Sequence, residues 1–175
     1  MFFFNLISKV LKVLRSNQSP GQIASGFVLG MLLGITPFWS LINFLLLFVV
    51  VLVNVNLTAV ILAYMIFSAV VYLADPLFHS LGFWLLVDVA FLKPLWTSLY
   101  NAPVIPYTRF NNTVYLGSFL VGLALVAPVY LGIKKFVINY REKYHTRIEQ
   151  WKWIKLLKTS KLYQWYERLK FWGAV

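Results

Sequence analysis

SNQSPGQIASGFVLGMLLGITPFWSLINFLLLFVVVLVNVNLTAVILAYMIFSAVVYLA, residues 16–74, contains no Asp, Glu, Lys or Arg. About 20 apolar residues suffice to cross the hydrocarbon core of a bilayer once. This run is far longer, so it is expected to enter a membrane more than once. The whole chain agrees: 61% of its 175 residues are hydrophobic and 12% are charged, against about 25% charged in an ordinary soluble domain. Length limits it to a single domain in the membrane, where lipid solvates the apolar faces.

Charge sets the orientation. Lys9, Lys12 and Arg15 contribute +3, the segment holding Asp75, Asp88, Lys93 and Arg109 sums to zero, and the residues from Lys134 onward contribute +8 of the net +11. Lys and Arg stay on the cytoplasmic side of membrane spans. Both termini are therefore expected in the cytoplasm, residues 75–112 mostly on the far side, and the number of full crossings is even. The amino terminus lacks the order of a cleaved signal, because Phe2–Phe4 precede the charges and no small-x-small site follows. There is no cysteine, which excludes disulfides, thiolate metal sites and a cysteine nucleophile.

Three regions follow. Residues 1–18 form an interfacial amphipathic helix, with Leu6, Val10, Val13 and Leu14 opposed to Lys9, Lys12 and Arg15. Residues 19–133 are the membrane domain. Ser19-Pro20 is a helix start, Ser as N-cap and Pro at the first helical position. The helix Pro20–Ile35 rises only about 24 Å at 1.5 Å per residue, short of a core of about 30 Å, before Thr36-Pro37 breaks it. A second apolar helix, 38–53, ends at Asn54-Val55-Asn56. The two are expected to form a Pro-broken hairpin returning to one face, although a single kinked crossing keeps the count even as well. Residues 57–73 form a span ended by Asp75-Pro76, residues 76–99 a second partial insertion, residues 95–107 a loop, and Thr113–Gly132 another full crossing ending at Lys134-Lys135. A broken insertion followed by a full span thus occurs twice, in the manner of an inverted repeat. Residues 134–175 are a basic, aromatic cytoplasmic tail. The fold class is all-α integral membrane.

Candidate site residues fall into three groups. Gly26, Gly30 and Gly34, every fourth residue, open a smooth face suited to close helix packing or to a lipid groove. Thr36, Ser40 and Asn43, with Asp75, His79 and Asp88, are the polar groups at depth. Thr36, Ser40 and Asn43 would share one face of a continuous helix and either stitch helices together or line a polar pathway beside the break. Asp75 reads as an N-cap, with His79 one turn on. Asp88 lies among apolar residues and needs a partner, for which Lys93, Arg109 or His79 qualify. In the third group, Lys9, Lys12, Arg15, Lys152, Lys155 and Lys158, with Trp151 and Trp153, suit an anionic leaflet; a partner-docking helix fits the tail about as well, and nucleic acid is not expected. No catalytic constellation, metal cluster or cofactor motif is present, so neither an enzyme nor a cofactor is expected.

The stretch Ser19-Pro20-Gly21-Gln22-Ile23-Ala24-Ser25-Gly26, Gly30, Gly34-Ile35-Thr36-Pro37-Phe38, then Asn56-Leu57 and Asp75-Pro76, resembles a bacterial inner-membrane family catalogued only as a domain of unknown function. Its pattern is S-P-x-x-I-A-x-G-x-x-x-G followed by a Gly and Pro break. The resemblance covers roughly residues 16–132; the family more often has Asn where this chain has Asp75. It implies a shared membrane fold and association with envelope biogenesis, and no reaction. The expectation is an inner-membrane component of an envelope lipid-handling system, in contact with the phospholipid membrane and with a larger envelope protein or further copies of itself. The alternative is a scaffold or anchor subunit without transport activity.

Overall fold

The computed structural model describes Val10, Val13, Leu14 and residues 16–143. The interfacial helix of residues 1–18 and the tail therefore lie largely outside the described residues, as do Lys9, Lys12, Arg15, Trp151, Lys152, Trp153, Lys155 and Lys158. Two compact units, Met1–Lys135 and Phe136–Val175, make up the chain, and the architecture below belongs to the first. The described residues are helical, without strands, in the order α1 Pro20–Ile35, α2 Leu41–Leu52, α3 Leu57–Phe83, α4 Lys93–Tyr100 and α5 Thr113–Lys143. A π-helical turn, Trp84–Asp88, extends α3, and 3-10 turns lie at Ala90–Leu92 and Ile105–Thr108.

The entry to α1 is secured locally. Ser19 accepts from the Gln22 N–H, the Gln22 side chain accepts from the Ser19 N–H, and Pro20 occupies the first turn, which satisfies two of the donors that a helix start leaves free. Ten of the 16 residues of α1 are buried, so it is the core of the unit. What buries it is glycine. A Cβ on Gly26 would stand 2.6 Å from the Asn56 carbonyl oxygen, one on Gly30 would collide with the Val60 carbonyl, and one on Gly34 would stand 2.9 Å from the Tyr64 carbonyl. The partners advance by the same four residues as the glycines, so α1 and α3 lie side by side and parallel. The Asn56 N–H donates to the Gln22 carbonyl at 3.2 Å, which brings the chain, after α2, back to the level at which α1 began.

The opposite flank of α1 is covered by α5. Gly122 meets the Leu32 side chain and Gly21 the Tyr130 hydroxyl, so α5 runs antiparallel to α1. Val28, Met31, Leu32, Ile35 and Phe78 form the buried cluster between them, with Val121, Leu125 and Val129 packed against it. α3 and α5 meet in turn where Gly82 abuts the Thr113 carbonyl and Gly117 the Phe78 carbonyl.

Several expectations require correction. Asp75-Pro76 does not end a helix: α3 runs through it, Asp75 caps nothing, and the expected second insertion at 76–99 is in its first part a continuation of α3. A proline inside a helix removes one backbone hydrogen bond, and here it accompanies a change of direction. Gly117 and Gly122, five residues or about 7.5 Å apart on α5, touch Phe78 and Leu32. Along a straight α3, Phe78 would lie about 21 Å beyond Tyr64, which stands beside Gly34. α3 therefore swings across the bundle before Phe78. Residues 95–107 are not all loop, since α4 reaches Tyr100, and α5 continues past Lys134-Lys135 to Lys143.

Leu57–Asp88 and Thr113–Glu142 are long and apolar enough to cross a bilayer, and only 22% of each apolar window is buried. The core helix of a water-soluble protein would be mostly covered, so this exposure is compatible with a membrane protein.

The glycine contacts predict a contrast measurable as thermal stability in detergent. Gly30→Ala should destabilise the protein by about 1–3 kcal/mol, the range of an overpacked core, despite the better helix propensity of alanine. Gly132→Ala, with nothing within 4 Å of the added carbon, should be neutral or slightly stabilising.

Candidate functional site

The break between α1 and α2 gathers the polar residues. Pro37 denies the helix its next donor, and Thr36 caps α1 in an extended conformation with its N–H on the Leu32 carbonyl. Ser40 then caps α2, its hydroxyl accepting from the Asn43 N–H at 3.2 Å. Thr36, Ser40 and Asn43 therefore do not share a face of one helix, as expected for a continuous helix; they surround the gap between two. The Thr36 hydroxyl proton lies between two acceptors, the Leu32 carbonyl and Asn43 Oδ1, each at 2.8 Å. Asn43 Nδ2 donates to the Pro37 carbonyl at 2.9 Å. Ser40 Oγ lies 3.2 Å from the hydroxyl of Tyr115 on α5, whose N–H is capped by Asn112 Oδ1 at 2.9 Å. All four side chains are buried, Asn43 and Tyr115 to 1% exposure. Among the described residues, no buried side-chain nitrogen or oxygen lacks a partner. The joint is polar and closed, and it ties α1, α2 and α5 together.

The other expected polar residues stand apart from it. His79 Nδ1 lies 2.7 Å from Thr113 Oγ1, beside the Gly82 contact, and so links α3 to α5. Asp75 is half-buried and Asp88 exposed, and neither carboxylate has a hydrogen bond or ion pair with a described residue. Asp88 thus pairs with none of Lys93, Arg109 and His79. Instead, the segment around it is held by Trp96, whose indole N–H donates to the Leu85 carbonyl at 2.9 Å and whose ring stacks on Phe110. Among the described residues no three metal-ligating side chains come together.

The glycine face, the other expected site, is filled by α3. The described chain leaves no groove there for a lipid.

On the outer side of the joint lies a cleft of about 460 Å³ lined by Trp39 and Ser40 from the break, by Phe44 from α2 and by Tyr107 and Arg109 from the segment before α5. Trp39 and Tyr107 are 69% and 70% exposed. Arg109 has φ 62°, the only positive φ of a non-glycine residue in the described chain. A left-handed residue with a Cβ costs about 1–2 kcal/mol. The position is imposed by its neighbours: the Arg109 N–H donates to the Pro106 carbonyl at 3.0 Å and the Asn112 N–H to the Arg109 carbonyl at 2.9 Å. Tyr115 and Arg109 were not singled out as site residues from sequence. Asn112 three residues before an aromatic in an apolar span was the one available signal for the first; nothing local marks the second.

One comparison with known proteins places the chain: the family DUF2062, described as an uncharacterized protein conserved in bacteria, matches residues 5–146. The chain belongs to this family. The match takes in the joint, the glycine contacts and the cleft, so all of them lie within the DUF2062 region. No curated protein and no solved structure matches.

The joint of this DUF2062 chain predicts a graded loss. Asn43→Leu leaves the Pro37 carbonyl without its donor and removes an acceptor from Thr36, and each buried group left unpaired costs about 1–3 kcal/mol. Asn43→Asp keeps the acceptor and should lose less at neutral pH only if water reaches the carboxylate. Thermal unfolding followed by circular dichroism should therefore rank wild type above both variants, with Asn43→Leu well below wild type.

Proposed function

We propose that the protein is a multi-pass component of a bacterial inner membrane, with both termini in the cytoplasm, that handles phospholipid together with a larger envelope protein and catalyses no reaction. In this reading α3 and α5 are full crossings. α1 and α2 form a re-entrant hairpin that enters from the cytoplasmic face, turns at the Thr36–Ser40 joint and returns.

The observation that carries the reading is α2. Of its 12 residues only Asn43 and Val50 are buried, while Phe44, Leu45, Phe48, Val51 and Leu52 are exposed. A helix of this length rises about 18 Å, too little to cross a core of about 30 Å. An apolar helix that faces outward without crossing presents lipid with an interrupted surface, next to a cleft that holds a cation. Lipid near such a surface meets a locally thinned barrier. The uncharged run of residues 16–74 and the basic flanks at Lys9–Arg15 and beyond Lys134 support the orientation.

Proteoliposomes carrying a fluorescent phospholipid in both leaflets test the proposal. Lipid handling predicts that dithionite, which does not cross the bilayer, bleaches more than the outer-leaflet share when the protein is present. If the inner-leaflet label stays protected and the purified protein brings down a stoichiometric protein partner without bound lipid, the protein is an anchor subunit instead.

A further inference from the structure

We infer that the cleft between Trp39 and Arg109 is a binding site for the phosphodiester of an anionic phospholipid, with an acyl chain laid along the outward face of α2. The inference rests on the phospholipid reading above and adds the site, the head-group chemistry and the residue that selects it.

Charge is the first argument. Arg109 lines the cleft with no acidic residue beside it, and no described carboxylate pairs with it. A guanidinium presents donors in a planar fork that matches the oxygens of a phosphate. Arg109 is itself exposed, so its guanidinium can be reached by such a ligand from outside the fold. The backbone supplies the second argument. The turn from Pro106 to Asn112 forces a left-handed residue at position 109, where glycine would fit without strain, and the chain has arginine there.

The walls supply the third. Trp39, Phe44 and Tyr107 line the same cleft as Arg109 with exposed rings, and Trp and Tyr are the side chains that favour the head-group level of a bilayer. From Phe44 the exposed residues Phe48 and Leu52 follow at intervals of four, so they form one stripe along α2. A ligand with a phosphate at Arg109 and a chain on this stripe is a phospholipid. A free phosphate would use the first contact and leave the stripe bare.

The full-length protein in mild detergent, loaded with dioleoyl phosphatidylglycerol and observed by native mass spectrometry, tests this. Wild type should retain one phosphatidylglycerol per chain, in preference to phosphatidylcholine. Arg109→Gly relieves the backbone at that position and so should melt at or above the wild-type temperature, while retaining the lipid roughly tenfold less well, the loss of one charge-assisted contact. Arg109→Gln should lose it similarly and Arg109→Lys only in part, whereas Lys93→Gln should behave as wild type. Equal retention by folded Arg109→Gly or Arg109→Gln overturns the inference, as does displacement of the lipid by millimolar inorganic phosphate, which would make the cleft a free-anion site. Lipid bleaching by dithionite that persists without Arg109-dependent retention removes this site and leaves the proposed function standing; failure of bleaching with retention intact does the reverse.

Discussion

Backbone meeting backbone is the constraint on which the rest of the structure depends. At Gly30, Gly82 and Gly117 the space for a side chain is taken by the carbonyl of a neighbouring helix. Helices this close gain dispersion contacts along their whole length, a source of cohesion that works in lipid as well as in water. Because α3 lies against the glycine face and α5 against the other flank, α1 is enclosed, with ten of its 16 residues buried. The enclosed helix in turn carries the joint to its depth and holds it there, which fixes where Ser40 and Trp39 can stand.

The joint shows how a chain breaks inside an apolar environment. A helix end exposes carbonyls and N–H groups that apolar surroundings cannot satisfy. Four side chains meet that demand here: Thr36 and Ser40 cap the two helices, Asn43 bridges to the Pro37 carbonyl, and Tyr115 reaches in from α5. Each polar atom has its partner within the fold, so the joint is structural, and a contact with ligand is expected only from the outer surface next to it. The polar pathway anticipated from Thr36 to Asp88 does not form a continuous chain of groups in the described structure.

Much of this was legible in the sequence, for reasons that can be named. The four-residue recurrence of Gly26, Gly30 and Gly34 announces a close helical partner, and Ser19-Pro20 and Thr36-Pro37 announce a start and a stop. These are local signals with local causes. Asp75-Pro76 misled because proline after a helix former is a stop where the lost hydrogen bond is the deciding cost; the packing of Phe78 and Gly82 against α5 outweighs that cost, and such packing joins residues 31 and 39 positions apart. Arg109 was legible only as a possible partner of Asp88, and its place in the cleft was hidden for the same reason. Its importance comes from a cleft whose other wall is some 70 residues earlier in the chain.

The parallel arrangement of α1 and α3 makes α2 a ruler. α1 climbs about 20 Å from Gln22 to Ile35, and the chain must descend the same distance before Asn56 can meet Gln22. The 12 residues of α2 recover about 18 Å, and the extended segment that follows, about 3.3 Å for each residue, makes up the remainder. This outward-facing helix thus spans nearly the whole descent, and its length matches that of the core helix beside it although only Asn43 and Val50 among its residues are buried.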